Sequence, residues 1–392
     1  MRRAFWLAIA AHLLLLAAGV RHHLVWGDGG LLGVPVHRLL DGAETLALLG
    51  FIALGARACW LASRAIDPAL STRRVLARSL PIVALALLVP PFLSLDVVDY
   101  VLRGRVLALH GGNPYVHVAS DFPADPLLGL GDSGWKAFPL PYGPIIADLQ
   151  GGVAWLAHRF AWLGPLGELS VAVSMFKLVF ASALVGCAWF ARRVTAVVRP
   201  GRENAAFVAV LWNPLLLAEG VANAHNEPLV VLFVLAAIAG VVERRFAWAF
   251  LATGLGVLTK VVPLLIAPLV GAMALRQRRV ASLARGGLAV AAVAALAWWQ
   301  FFRVDGALDF LRLQSTLQAC SALWAIGQAF AAGDGGPLLP IGRAIVALAV
   351  LFAALRLLRT GEPIALLRAS ATVLALFALL GLLLFKIGRA HV

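Results

Sequence analysis

One feature constrains this chain more than any other: long apolar stretches return from one end to the other, each close to the ~20 residues that cross a ~30 Å hydrocarbon core. They are read at Phe5–Val20, Thr45–Ala62, Ser79–Leu95, Leu169–Phe190, Ala205–Leu217, Leu229–Val242, Ala247–Leu258, Val261–Leu275, Leu288–Phe302, Ile341–Leu355 and Ile364–Phe385. Several are short, so 247–258 and 261–275 are read as half-helices or tilted hairpins. In lipid every backbone polar group must be satisfied within its own segment, which makes these segments helices. The expected fold is therefore all-α, a polytopic integral membrane helical bundle of about eleven spans. Composition agrees: 62% of the 392 residues are hydrophobic and 13% charged. So few charges cannot cover a water-soluble globule, where about 25% is usual. Cys59, Cys187 and Cys320 are far apart and show no Cys/His spacing for zinc or a disulfide framework.

Lys and Arg exceed Asp and Glu by 33 − 19 = 14. Those arginines fall in alternate loops: Arg2/Arg3, Arg64/Arg73/Arg74/Arg78, Arg192/Arg193/Arg199/Arg202, Arg244/Arg245, Arg276/Arg278/Arg279/Arg285 and Arg356/Arg359/Arg368. Under the positive-inside rule these loops are cytoplasmic, with a cytoplasmic N-terminus and an uncleaved first span in the inner membrane. The basic excess is thus a topology signal, and nucleic acid is not an expected partner. Parity then fixes residues 96–168. They begin after an outward span and end before an inward one, so they form a long extracytoplasmic loop after the third span. Pro144–Trp162 within it is a surface helix or re-entrant segment. A loop of this length carries function more often than mere connection. A second outer segment, 303–340, holds Arg303, Asp305, Asp309, Arg312, Gln314, Gln318 and Trp324. The last six residues, Ile387-Gly-Arg-Ala-His-Val392, reverse-translate to a string resembling a sequencing-library adapter. They are read as an artefact at 387–392, with the natural protein continuing past about Phe385.

Polar residues gather at four places. After the third span comes Ser94-Leu-Asp96-Val-Val-Asp99-Tyr100-Val-Leu-Arg103-Gly-Arg105. If the helix continues past the membrane face, Asp96, Asp99, Tyr100 and Arg103 share one side. The bland reading is an Asp99–Arg103 ion pair with Asp96 as a solvated helix-end charge. Next is His110-Gly-Gly-Asn113-Pro-Tyr115-Val-His117, a turn signal, followed by Asp121, Asp125, Asp132, Trp135, Lys136 and Tyr142-Gly-Pro144. The third cluster is Trp212-Asn-Pro214 with Glu219, Asn223, His225, Asn226 and Glu227 in an outer turn, read alternatively as an interhelical polar clamp. Last, Lys260 stands inside an apolar region, where its natural partner is an anion such as a lipid phosphate. The bland reading there is snorkelling or pairing with Glu219 or Glu227.

Five motifs in order, Asp96-x-x-x-Tyr100 with Gly104, Asn113-Pro-Tyr115, Tyr142-Gly-Pro144, Trp212-Asn-Pro214…Glu219-Gly…Asn223-x-His225-Asn226-Glu227 and Leu258-Thr-Lys260…Pro263, resemble the GT-C superfamily. The nearest likeness is to the bacterial polyprenol-phosphate-mannose-dependent mannosyltransferases, the alpha-(1→6)-mannopyranosyltransferase-like group. It covers about residues 79–275 and says less about the sugar than about the superfamily. The resemblance implies a catalytic aspartate at Asp96, a donor-phosphate contact at Lys260 and a polar site motif at His225/Asn226. Further substrate or phosphate contacts are expected among Arg103, Arg105, Tyr100, Asn113, Tyr115, Tyr142, Asn223 and Glu227. Some relatives use a divalent cation, for which Asp99 and Glu227 are the candidate ligands. Two departures stand out. The acidic loop follows the third span where many members have it after the first, and Glu227 stands where the family motif usually has Asp.

The expected function is transfer of a sugar, mannose by resemblance, from a polyprenyl-phosphate donor to a glycan or glycolipid acceptor at the outer face, with inversion. The whole of 1–386 is expected to be one transmembrane transferase domain. Three rivals remain: a flippase for a lipid-linked sugar, a non-catalytic envelope-assembly subunit, and a same-fold transferase for glucose, galactose or arabinose. No internal repeat with interrupted helices in matching positions supports the first of these.

Overall fold

A computed structural model describes residues 1–26, 40–131, 135–301 and 338–380. Asp132, Cys320, the residues from Arg303 to Trp324 named above and the tail 387–392 lie outside the described residues. Helices and loops make up all of the described chain, with no strand among them. The residues divide into two units, Met1–Pro139 with Ile146–Leu235, and Leu140–Ile145 with Ala236–Val392.

In the first unit α1 (Arg2–Trp26) and α2 (Gly42–Ala65) pack as a hairpin, and α3 (Thr72–Leu88) lies against α1. The hairpin is capped at its junction. Asp41 accepts from the Glu44 amide at 2.9 Å while Glu44 accepts from the Asp41 amide at 3.0 Å. The fully buried Glu44 is also held by Arg21 at 2.9 Å and His22 at 3.1 Å. Further along are α4 (Asp96–Ala108), α5 (Pro144–His158), the 35-residue α6 (Gly164–Val198) and α7 (Glu203–Leu211). Phe207, Leu211, Trp212 and Leu217 enter one apolar core with Ile82 and Leu184. Lys177, in the middle of α6, was not singled out from the sequence. Its amine is buried and donates to the carbonyls of Leu87 (2.7 Å) and Val89 (2.5 Å), which the end of α3 leaves without helical partners.

The second unit contains α9 (Phe246–Thr259), α10 (Ala267–Arg276), α11 (Val280–Trp299), α12 (Leu338–Thr360) and α13 (Pro363–Leu380); α8 is Glu227–Val242. Here α9 packs on α11, and α12 packs on both α10 and α13. The α11 helix leaves Leu288, Leu296 and Trp299 mostly exposed. In water that face would be an aggregation hazard; against lipid it is ordinary.

Four helical stretches among the described residues are long and apolar enough to cross a membrane: Arg2–Val25, Gly42–Ala65, Ala161–Val198 and Val280–Trp299. Shorter apolar helices stand at most of the other expected spans. Two expectations shift. The third helix ends at Leu88 and does not run on through Asp96, because Pro90 and Pro91 follow. Proline lacks the N–H a helix needs, and it pushes the preceding residue out of the helical region. The expected span Ala205–Leu217 is broken: α7 stops at Leu211, and a π-helical turn, Leu216–Ala222, continues at an angle of 57°.

Candidate functional site

The break after α3 makes Asp96 the first residue of a new helix rather than the tail of an old one. Its amide donates to the Ser94 hydroxyl at 3.1 Å. Asn223 holds this approach in place. Its side-chain oxygen accepts from the amides of Phe92 (3.1 Å) and Leu93 (3.0 Å), while its nitrogen donates to the Ala218 carbonyl at 3.0 Å. With all these bonds made and no exposure, Asn223, expected among the substrate contacts, has the bonding of the alternative reading, a polar clamp.

The π-helical turn then closes in a tight reversal. Ala224 adopts a left-handed φ of 56°, a conformation that glycine takes freely and that costs alanine ~1–2 kcal/mol. The following amide, of His225, reaches back to the Glu219 carbonyl at 3.0 Å. This reversal sets the imidazole between two carboxylates. Nδ1 is 3.5 Å from Glu219 and Nε2 is 4.0 Å from Asp96. The side chains of Asp96 and Glu219 keep 34% and 39% of their surface, so the group is open to a ligand. Asn226 follows, 1% exposed, its amide without a hydrogen-bond partner among the described residues. Glu227 is exposed at the start of α8. Asp96 and His225, expected from the motifs, thus come together, with Asn226 next to His225 in the chain. Glu219 joins them as a member that the resemblance did not assign; its place in the same polar run was the available signal.

The rest of α4 points inward. Asp99, Tyr100, Arg103 and Arg105 are all buried. Tyr100 packs edge-on against Phe176, with ring centroids 5.8 Å apart. Arg103 lies over the Trp135 ring at 5.5 Å and donates to its carbonyl at 3.4 Å. Arg105 is shared between two carboxylates: its Nε donates to Asp125 at 2.8 Å and a terminal nitrogen donates to Glu168. His110 closes on Asp125 at 2.6 Å, and His158 on Glu168 at 3.2 Å. Burial alone would raise the Asp125 carboxyl, but the hydrogen bonds from Arg105 and His110 hold it below its ordinary range. Asn113 accepts from the Tyr115 amide at 3.0 Å, a local turn. The Tyr115 hydroxyl is pushed well up by burial and, secondarily, by the nearby charge of Asp148. Gly104 is where α4 crosses α5. A Cβ there would meet the Gln150 carbonyl at 2.1 Å, which excludes any side chain.

In the second unit, Gly143 makes a similar close approach. A Cβ there would fall 2.1 Å from the Leu258 carbonyl, and the Gly143 amide donates to Thr259 at 3.0 Å. That contact holds Tyr142 beside the end of α9, where Lys260 leaves the helix in an extended conformation. The Lys260 amine stands 5.3 Å from the Tyr142 ring centroid, within cation–π range. Among the described residues no three His, Cys, Asp or Glu side chains converge to hold a metal ion.

Comparison with known proteins places these observations in a family. Residues 4–276 match the family described as alpha-(1→6)-mannopyranosyltransferase, N-terminal domain. A probable alpha-(1→6)-mannopyranosyltransferase of Mycolicibacterium smegmatis is 30% identical over 156 residues, 38% of this chain and 25% of that protein. An alpha-(1→6)-mannopyranosyltransferase of Mycobacterium tuberculosis is 30% identical over 157 residues, 37% of this chain and 23% of that protein. The matched stretch therefore spans about a quarter of these relatives' length. No solved structure matches. With well over half its length matched by that N-terminal domain, and the motif residues at Asp96, His225 and Lys260 inside the match, this chain belongs to the alpha-(1→6)-mannopyranosyltransferase family.

Proposed function

We propose that this chain transfers a mannosyl group from a polyprenyl-phosphate donor to a hydroxyl of a glycan or glycolipid, at the outer face of the cytoplasmic membrane. The observation that carries the reading is the open trio of Asp96, His225 and Glu219, at the start of α4 in a chain of apolar helices. The 4.0 Å gap between Asp96 and His225 is longer than a hydrogen bond, and gaps of that kind are commonly bridged by a hydroxyl or water. An acceptor hydroxyl there is oriented by His225 and gives its proton to the Asp96 carboxylate. Its oxygen attacks the anomeric carbon as the bond to the lipid phosphate breaks, and attack from the opposite side inverts the anomer. The phosphate departs as a stable anion, so one carboxylate suffices where hydrolases use two.

Lys260 is assigned to the charge developing on that phosphate, a role suited to a cation set beside an aromatic ring. Arg105 and Asn223, expected at the substrate, are assigned instead to architecture, because their polar atoms are taken up inside the fold. Residues 1–386 act as one transferase domain in this reading, with 96–168 its outer loop.

The test is transfer by membranes supplied with radiolabelled polyprenyl-phosphate mannose. Asp96→Asn is expected to abolish incorporation while the protein remains inserted; near-normal turnover would remove Asp96 from its role. In the same assay Lys260→Ala is expected to raise the donor KM or lower kcat, and unchanged donor kinetics would overturn the phosphate assignment.

A further inference from the structure

At the far end of α9 from Lys260 the second unit has a polar cavity of about 290 Å³, lined by Arg244, Arg276, Gln277, Arg279, Thr360 and Gly361. The helix between is 14 residues long, so the two places are roughly 20 Å apart at ~1.5 Å per residue. Three turns meet there: the one before α9, the one after α10 and the one between α12 and α13. Arg244 and Arg278 sit at left-handed φ angles of 59° and 55°, so two of these reversals hold non-glycine residues in an uncommon conformation.

The bland account is that arginines follow helix C-termini because the helix dipole favours cations there. That account predicts hydrogen bonds from the guanidinium groups to the terminal carbonyls. Among the described residues, the side chains of Arg244, Arg276 and Arg279 make no hydrogen bond and no ion pair. The adjacent carboxylates lie elsewhere: Glu243 pairs with Arg245 at 3.7 Å, and Glu362 is exposed beyond Gly361. Three full positive charges around one hollow outweigh the partial negative charges of nearby helix ends, each about half a charge. Among the described residues their donors are therefore uncommitted, and the guanidinium fork matches a phosphate group in shape as well as in sign.

We propose that this cavity binds a phosphate group, with Arg244, Arg276 and Arg279 as the anion-holding residues. It lies at the opposite end of α9 from Lys260 and stands whether or not the mannosyl-transfer reading holds. Two sources carry that chemistry: the headgroup of an anionic phospholipid, for which basic pockets between membrane helices are a known mode, and free phosphate.

The test uses the full chain purified in a neutral detergent, with phosphatidylglycerol and inorganic phosphate as separate probes. Native mass spectrometry reads retained lipid, and the melting temperature reads free phosphate. Wild type is expected to retain at least about tenfold more phosphatidylglycerol than Arg276→Gln/Arg279→Gln, one to two charge-assisted contacts being worth that factor. Arg73→Gln, at an exposed arginine of α3 outside the cavity, is expected to behave as wild type. A melting shift with inorganic phosphate that the double variant loses, without lipid retention, assigns the site to free phosphate. If neither probe separates wild type from the double variant, or Arg73→Gln loses as much, the proposal fails. Should the double variant not accumulate, Arg244→Gln carries the same comparison.

Discussion

Of the ionic clusters in the first unit, those around Arg105 and His225 differ in one respect that separates architecture from chemistry. Around Arg105, the contacts are short and the side chains of Arg105, Asp125 and Glu168 are each 4% exposed. Around His225, the contacts are 3.5 and 4.0 Å and about a third of each carboxylate is exposed. The first is a closed set whose donors and acceptors are matched to one another. It ties the segment after α4 to α4 and α6, and a ligand would have to displace a partner to enter. The second has acceptors and an imidazole set too far apart to satisfy each other, and the surface to admit something that does. Charge density alone does not mark a site; unfinished pairing does.

The sharpest way to break this contrast is to mutate one member of each cluster and read both activity and stability. Asp96→Asn is expected to lower transfer by ~10²–10⁴-fold, the range of general-base assistance, with an unchanged melting temperature. A large loss of stability would make the open cluster architectural too. Arg105→Met is expected to do the reverse. It leaves two buried carboxylates without their cation, which costs about 3–5 kcal/mol, and poor accumulation or a much lower melting temperature is the readout. A stable but inactive Arg105→Met protein would return Arg105 to the substrate.

Acid sharpens the contrast further. The native Asp125 carboxyl is depressed, so its contribution to stability is complete above the unfolded value of about 4 and is lost as pH falls through the lower native value. Below about pH 4 the wild-type melting temperature should therefore fall more steeply than that of Asp125→Asn. Parallel profiles would mean that the carboxylate is not held by its partners. The smallest effect is expected at Ala224. Replacing it with Gly removes left-handed strain but loosens the unfolded chain, so stability should change by less than about 1 kcal/mol. Transfer should drop several-fold if the reversal is what aims His225. Unchanged transfer would show that the imidazole does not depend on that turn.

Much of this was legible along the chain. The Ser79–Leu95 run announced a helix, and the structure has one there; the apolar pattern carried it on to Leu95, whereas the helix ends at Leu88 ahead of Pro90 and Pro91. The semi-apolar stretch Pro144–Trp162 was expected as a surface helix or re-entrant segment, and a helix occupies Pro144–His158. The polar run from Asn223 to Glu227 was legible as a cluster, but Asn223 as a clamp and His225 as the aimed side chain look alike in sequence. Arg103 and Arg105 were read as phosphate contacts because cations beside a bilayer invite that reading. Nothing within ten residues of Arg105 reveals that it is already engaged.

The sequence by itself determined the solvent this protein folds in. Hydropathy is summed residue by residue against lipid, and the recurrence of apolar runs between arginine loops needs no knowledge of contacts. The ordered motifs around Asp96, His225 and Lys260 were likewise readable as a string. Only the tertiary structure decided which polar groups are consumed and which are left available. Arg105 meets Glu168 from 63 residues away, and Asn223 meets Phe92 from 131 residues away. Whether a charge is paired depends on such distant partners arriving at hydrogen-bonding distance, a property of the folded chain that local pattern does not carry.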